Sequence, residues 1–447
     1  MNRLIVTKKG LDIRLAGSAV KPSSLREVEW AWPAVVAVSP DDFPGFTPKV
    51  AVKEGDVVTA GAPLLFDKLH PQVKLVSPVA GTVKAVVRGE RRKVLRVEVT
   101  PSTDVMTPVK IADEGNFAAE LQSSGLWGMM RQRPYDIVPN PERQPRDIFV
   151  TAFDSAPLAP HLEYQVMACQ DELARGVEAL QTLTSGKVYV CVPPGYPVAD
   201  IPGAETVTVS GPHPSGNVGV QIANIAPVNK GETVWTLDVV TLAKIGQLYA
   251  SHSYNPDVLI TVAGPQVELP RYVRTLPGAD VATLLKGVIS HDQVHRRIIS
   301  GSVLSGVKIA SDDYLRAPYR QISVIGEGDD ADEFMGWAMP EGGKPSTKRS
   351  VLGHFFRRRA FSPDARLNGG RRAMILSGEY DSVMPMDIMA EYLLKAIISR
   401  DIDKMEALGI YEVAPEDFAT AEFVDTSKLE LQKIVREGLD YLRQEVE

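Results

Sequence analysis

The sequence predicts a multidomain α/β protein in which a β-rich unit comes first, two sheet-bearing units follow and a helical unit closes the chain. Three observations predict it. Between Lys49 and Val99, short alternating strands are punctuated by Gly55, Gly61, Gly81 and Gly89. From Asp147 the pattern changes to strand, helix, strand, the order that yields a parallel sheet. After about Gly328, runs at helical spacing such as MAEYLLKAIISR take over. A chain of 447 residues is too long for one hydrophobic core. The expected boundaries are 1–104, 105–256, 257–327 and 328–447.

Composition narrows the class. Hydrophobic residues make up 44% and charged residues 23%, as in ordinary soluble globular proteins. No apolar run reaches the roughly 18 residues that a membrane-crossing helix needs, and MNRLIVTKKG is too short and too early basic for a signal peptide. A cytosolic chain is expected. Two cysteines, Cys169 and Cys191, are too few for an iron–sulfur or zinc set, and Cys191 lies in the apolar run Val188 to Val192, as a core residue does. The net charge of −7 is mild but uneven: residues 344–372 hold nine Lys or Arg against one acid, Asp364. With negative overall charge and no recognised module, nucleic acid is not an expected partner.

Taken in order, residues 1–48 read as a β-rich lead-in, with Trp30, Trp32, Phe43 and Phe46 as packing residues. Glu54 to Leu64 then spells E-G-D-x-V-x-x-G-x-x-L, and Ser77 to Val83 follows as S-P-x-x-G-x-V. Both halves resemble the small all-β domain of biotin and lipoyl carriers, the barrel-sandwich hybrid. A carrier presents a lysine at the tip of its second hairpin. Here that register holds His70, with Lys68 two residues further back and Pro71 stiffening the tip. A structural domain without an attached prosthetic group is expected.

Pro101-Ser102-Thr103 opens a linker, Asn116 caps a short helix carrying Phe117 and Leu121, and Gly125 ends it. DIFVTAF, the helix with Leu173, Val177, Leu180 and Leu183, then KVYVCV and ETVTVS build a Rossmann-like α/β domain that a helix around Leu237–Tyr249 closes. GPHPSGNVG follows a strand, but its glycines at 211, 216 and 219 miss the G-x-G-x-x-G spacing, and Pro212 and Pro214 remove amide donors.

From Asp257, a strand, a glycine turn, a proline-led return strand and a helix with Val281, Leu284 and Leu285 predict a β-grasp unit, which RIISGSVLSG and QISVI complete. Val262, Gly264, Val267, Pro270 and Val273 resemble the soluble-ligand-binding β-grasp (SLBB) family. In the last unit Ser427 and Glu430 read as a capping box, and Leu431, Ile434, Val435, Leu439 and Leu442 line one face of the helix that follows.

No catalytic set emerges. His291 and His295 have the i, i+4 spacing of a metal pair but neither an intervening Glu nor an evident third ligand, and His213 between two prolines reads as a turn residue. His354, Phe355 and Phe356 beside Arg357, Arg358 and Arg359 interleave aromatics with bases, a combination suited to an anionic surface.

The strings KKGLD (Lys8 to Asp12), SSGLW (Ser123 to Trp127) followed by R-x-R-P, TSGKVYVC, GPHPSG, AGPQVELPRYVRT, RIISGSVLSG, FMGWAMP, RSVLGHFF and VMPMD together resemble the A subunits of the bacterial sodium-translocating NADH:quinone reductases over essentially the whole chain. The resemblance implies a peripheral protein on the cytoplasmic face of the bacterial inner membrane. It would sit against the integral B subunit in a complex of six subunits, near ubiquinone or menaquinone, with flavins and iron–sulfur centres on partner subunits. The quinone that the resemblance implies needs an apolar slot with one or two hydrogen-bond donors; Trp337, Met339, His354 and Phe355 have that chemistry, and with Phe356, Arg357 and Arg358 they are the candidate quinone or partner-surface residues. More distant relatives, the C subunits of Rnf complexes and the NADH-binding flavoprotein of complex I, carry a flavin loop S-G-L-x-G-R-G-G-A-G-F-P. This chain keeps Ser124 to Gly128, then places Met129, Met130, Arg131, Gln132 and Arg133 where glycines would let amides approach phosphate. The expectation is a chain without a redox cofactor or metal; an Rnf-like electron-input protein that binds NADH and FMN and a pure scaffold are the alternatives.

Overall fold

In the computed structural model, the described residues are 3–113, 115–197, 200–289, 294–329, 346, 353, 355, 359–375 and 377–446. The β-rich unit is two small antiparallel sheets packed face to face. One has the order Val36–Val38, Val94–Pro101, Gly81–Arg88, Val57–Val58; the other, Pro48–Val50, Pro63–Asp67, Lys74–Val76. Alternation buries Leu64, Val83, Val97 and Val99 between them. At the tip, the buried Asp67 carboxylate accepts from the amides of Thr47 (3.1 Å) and Leu69 (3.2 Å) and leaves Lys68 exposed. His70 reaches Glu142 of the next domain at 3.9 Å. The tip therefore lies beside the next domain, with Lys68 and Leu69 still exposed.

The α/β unit carries a six-stranded sheet in the order Arg3–Val6, Glu205–Ser210, Val188–Val192, Ile148–Thr151, Val234–Asp238, Arg131–Arg133. All neighbours are parallel except the last pair. The lead-in expectation needs correcting here: the first strand, Arg3–Val6, joins this sheet and not the β-rich unit. Its burial pattern, with only Ile5 facing inward, carries too little hydrophobic period to declare a sheet. Helices Gln170–Gln181 and Val239–Ser251 pack closely together because Gly176 and Gly246 admit backbone: a Cβ would stand 2.4 Å from Leu242 O at the first and 1.8 Å from Glu172 O at the second. Val218–Ile225 lies against the sheet through buried Val220 and Ile222.

Strand order reverses between Ile148–Thr151 and Val234–Asp238, the switch point where doubly wound sheets open a crevice beyond their strand ends. The β-grasp unit follows as Arg271–Thr275, Val258–Ala263, Gln321–Gly326, Arg296–Ser300, Val307–Ile309, with Val281, Leu284 and Leu285 of its helix buried beneath. A separate core of Tyr380, Leu393, Leu394, Phe418, Val435, Leu439 and Leu442 organises the helical unit.

The closing helix, Leu431–Val446, buries Leu431, Val435, Leu439 and Leu442 as expected, but it begins after the predicted cap. Ser427 donates instead to Ala373 O (3.1 Å), and Glu430 pairs with Arg371 (3.2 Å). The Glu422 carboxylate takes over the capping, accepting from the Gln432 amide at 2.9 Å.

Candidate functional site

The switch-point crevice, of about 440 Å³, is where a dinucleotide-type fold would hold its ligand. Met129 and Arg131 of the segment Trp127–Arg133 stand on its wall. Trp127 is buried, donates through Nε1 to Pro139 O (2.9 Å) and meets Trp235 edge-on with ring centroids 5.0 Å apart. The amides of Met129 and Met130 donate back to Leu126 O (3.0 Å) and Trp127 O (3.1 Å) in a 3-10 turn. Arg131 donates to Gly128 O (2.7 Å), Met130 O (3.0 Å) and Asp42 O (2.9 Å). Burial holds the Arg131 guanidinium below its usual range. Gln132 is 1% exposed, and its carbonyl oxygen accepts from the Asn140 amide.

Arg133 leaves the crevice for the helical unit. Its Nη1 donates to Asp417 at 2.8 Å and its Nη2 to Glu416 at 3.2 Å. Both Arg133 and Asp417 are 1% exposed. Glu416 faces the crevice, where burial and the neighbouring Asp417 charge raise its pKa.

The second glycine-bearing turn is closed in the same way. Ser215 and Asn217 amides donate to Pro212 O and Pro214 O, each at 2.9 Å. The Gly216 amide donates to Ser155 Oγ (2.8 Å), which also pairs with Nδ1 of His213 (3.0 Å). His213 is thus more than a turn residue: it is 4% exposed, its amide donates to Asp12, and burial lowers its pKa to about 4, so the ring is neutral. These amides have intramolecular acceptors, which does not suit a phosphate cradle.

Beside the crevice lies an apolar cavity of about 110 Å³, where the β-rich, α/β and β-grasp units meet. Phe43, Leu75, Leu126, Met129, Val258 and Leu315 are among its walls. Two buried ion pairs hold the units together around it. Asp42 accepts from Arg316 Nε and from the Ala317 amide (2.9 Å). Asp238, which caps Val239–Ser251 through the Thr241 amide (2.7 Å), takes both Arg320 Nε (3.2 Å) and Nη2 (2.8 Å). Burial pushes Asp42 up to about 6 against the opposing charge of Arg316. Burial, reinforced by the charge of Arg320, brings the ammonium of Lys244 on the cavity wall down to about 8.

Of the candidates read from the sequence, Trp337, Met339, His354, Phe356, Arg357, Arg358 and His291 lie outside the described residues. Phe355 is described and 67% exposed. His295 pairs with Asp329 at 3.0 Å. Sequence reasoning missed Asp42, Lys244, Arg316 and Arg320, which lie far apart along the chain and carry no local spacing signal. It also missed the one metal-capable group among the described residues, Asp113, Glu120 and His252, whose ligand atoms lie within 4.8 Å of one another. There His252 is ion-paired on both sides, to Glu120 at 2.9 Å and Asp113 at 3.8 Å.

Fold and site define a class: a Rossmann-order scaffold between a carrier-like barrel-sandwich unit and a β-grasp unit, with its phosphate-facing turns closed by its own groups. Three family models match in succession: the NqrA N-terminal barrel-sandwich hybrid domain over residues 5–102, the NqrA second alpha/beta domain over 112–253 and the NQRA C-terminal domain (SLBB) over 259–311. The A subunit of the Na(+)-translocating NADH-quinone reductase of Yersinia pseudotuberculosis serotype I is 36% identical over 99% of this chain and 100% of its own length. Its counterpart in Photorhabdus laumondii is 37% identical with the same coverage. Among solved structures, an air-oxidized NAD+-reducing [NiFe]-hydrogenase superposes at a TM-score of 0.38 and 12% identity over 75% of this chain and 63% of that one, too little to bear on function. The chain belongs to the NqrA family, the A subunits of Na(+)-translocating NADH-quinone reductases.

Proposed function

We propose that this chain is the peripheral A subunit of an oxidoreductase complex that couples NADH oxidation and quinone reduction to sodium export. In this reading it holds no redox cofactor of its own. It docks against the integral B subunit on the cytoplasmic face of the membrane and contributes to the quinone-reducing end, while flavins and iron–sulfur centres belong to partner subunits. Full-length kinship with the NqrA family carries the reading.

Two features support the finer parts. The turns that would cradle flavin or NADH phosphates have amides occupied by Leu126, Trp127, Pro212, Pro214 and Ser155. The apolar cavity at the three-unit junction offers the slot that a quinone ring needs, with charged donors on its wall. Among the described residues, no helix is long and apolar enough to cross a membrane.

The test is purification from native membranes. The reading expects the chain to arrive with the other subunits of the complex and expects sodium to stimulate quinone reduction. A chain that purifies alone, or one whose isolated form carries flavin absorbance, would overturn the role in the complex or the cofactor-free part respectively.

A further inference from the structure

The hairpin of the β-rich unit, Gly81–Arg88 with Val94–Pro101, ends in a turn that breaks its own local rule. Lys93 N donates to Glu90 O at 3.1 Å and Gly89 N to Lys93 O at 2.8 Å, so Arg91 and Arg92 are the central pair of the turn. Both have positive φ, 52° and 61°. A hairpin turn of that hand is ordinarily made by Asn-Gly, because a side chain crowds the backbone there and glycine has none. Two successive arginines fit the turn less well and gain nothing within the chain in return. Both are exposed, and neither guanidinium makes a hydrogen bond, ion pair or ring contact among the described residues. The turn around them is nonetheless fixed: Arg88 Nη1 donates to Arg92 O (3.2 Å), and Lys93 Nζ pairs with Asp41 (2.7 Å). Residues 88–93 carry four bases and one acid, Glu90, on a chain whose net charge is −7.

We propose that Arg91 and Arg92 form a docking tip for a carboxylate-bearing surface on another protein of the same complex. The proposal rests on the reading of this chain as a subunit and names one contact that would hold it there. Residues kept in a disfavoured backbone region without an internal reason gather at functional sites. A guanidinium matches a carboxylate with two parallel N–H···O bonds, so a pair of them on a fixed turn recognises the placement of acids as well as their charge. Orientation is what separates a protein partner from a lipid one. A fluid headgroup layer takes cations presented in any direction, and flexible backbone would serve it as well. Fixed acids repay a fixed pair. Glu90, next to the pair, also lowers the net charge that an anionic lipid surface would attract.

The experiment purifies the complex from native membranes with the natural chain, with Arg91→Asn and Arg92→Gly together, or with Arg91→Lys and Arg92→Lys together. Asn-Gly suits the turn better than the natural pair, so the hairpin keeps its fold while losing both guanidinia. Amide exchange in Gly81–Pro101 checks that it does. Washing in rising salt then reads how firmly each chain is held. The affinity of the Asn-Gly chain for its companions should fall roughly tenfold or more, as expected for lost charge-assisted hydrogen bonds. The Lys pair keeps the charge without the forked geometry and should fall between the two. A p-benzoylphenylalanine in place of Glu90, beside the intact arginines, should crosslink to another subunit. Crosslinks to lipid without a subunit partner, or an Asn-Gly chain held as firmly as the natural one, would overturn the proposal and leave the chain a subunit. Should the Asn-Gly hairpin lose protection, the crosslink decides alone. A natural chain that purifies without companions would overturn the subunit reading and this proposal together.

Discussion

Asp417→Ala is the sharpest perturbation the fold offers. The substitution leaves Arg133, 1% exposed, without its 2.8 Å carboxylate partner. Breaking one side of a buried pair costs about 3–5 kcal/mol because the remaining charge stays desolvated. Asp417 also accepts from the Ala414 amide at 2.8 Å, a cap-like bond worth about 1 kcal/mol. Glu416 works in the other direction: it lies 3.2 Å from Arg133 Nη2, and losing the adjacent Asp417 charge favours its ionised form. The net expectation is about 3 kcal/mol, near the low end. Because the chain has several cores, global melting is a poor readout. Amide hydrogen exchange in Leu431–Val446, which packs on the segment holding Asp417, reads the helical unit directly. A loss of about 3 kcal/mol raises opening about 100-fold, and the double variant Arg133→Met with Asp417→Leu should recover most of it. A rise below about tenfold in the single variant would refute the idea that this pair anchors the helical unit.

Three further substitutions or conditions probe neighbouring contacts. Gly219→Ala places a Cβ 2.4 Å from the Asp417 carboxylate and should cost about 1–3 kcal/mol by the same exchange assay, with less effect when Asp417 is already Ala. Lys244 is depressed from 10.5 to about 8 in the fold, so its protonated form is disfavoured there, fully so below pH 8. Stability should therefore rise as pH increases from about 8 towards 10.5, and a urea series should show that part of the slope vanish in Lys244→Met. Lys68 is exposed and its register departs from that of a carrier lysine, so peptide mass mapping should find it unmodified, and Lys68→Ala should change stability by less than about 0.5 kcal/mol.

Local chemistry was legible and distant chemistry was not. Asn116 caps its helix as read, accepting from the Ala118 amide at 3.0 Å, because capping needs only neighbouring residues. Val281, Leu284 and Leu285 are buried as their spacing announces, and Cys191 is a core residue at 0% exposure. The capping box at Ser427 does not form because Asp425 accepts from the Ser427 amide (3.0 Å) that Glu430 would have taken, and Lys428 at φ 58° lies outside helical backbone, so the helix starts only at Leu431. Asp42 with Arg316 and Arg133 with Asp417 are 274 and 284 residues apart. Nothing in the residues themselves announces either pair, since charged side chains are ordinarily solvated and only the fold brings these together.

The segment Met129–Arg133 ties three units of the chain to one another. Departure from a glycine-rich loop could have left an empty groove, but its side chains hold structure in three directions. Arg131 bonds the Asp42 backbone of the β-rich unit, Gln132 holds the Asn140 amide, and Arg133 binds the helical unit. Restoring glycines here would therefore not simply reopen a nucleotide site. It would remove the cations that join domains and leave Asp417 buried without a partner, so the chain would lose cohesion before it gained a ligand. Next door lies the junction cavity, whose walls are made from the units that Asp42, Arg316, Asp238 and Arg320 clamp together. Cohesion between domains and the shape of that cavity are set by one set of ion pairs, so a substitution that loosens the clamp should loosen the cavity with it.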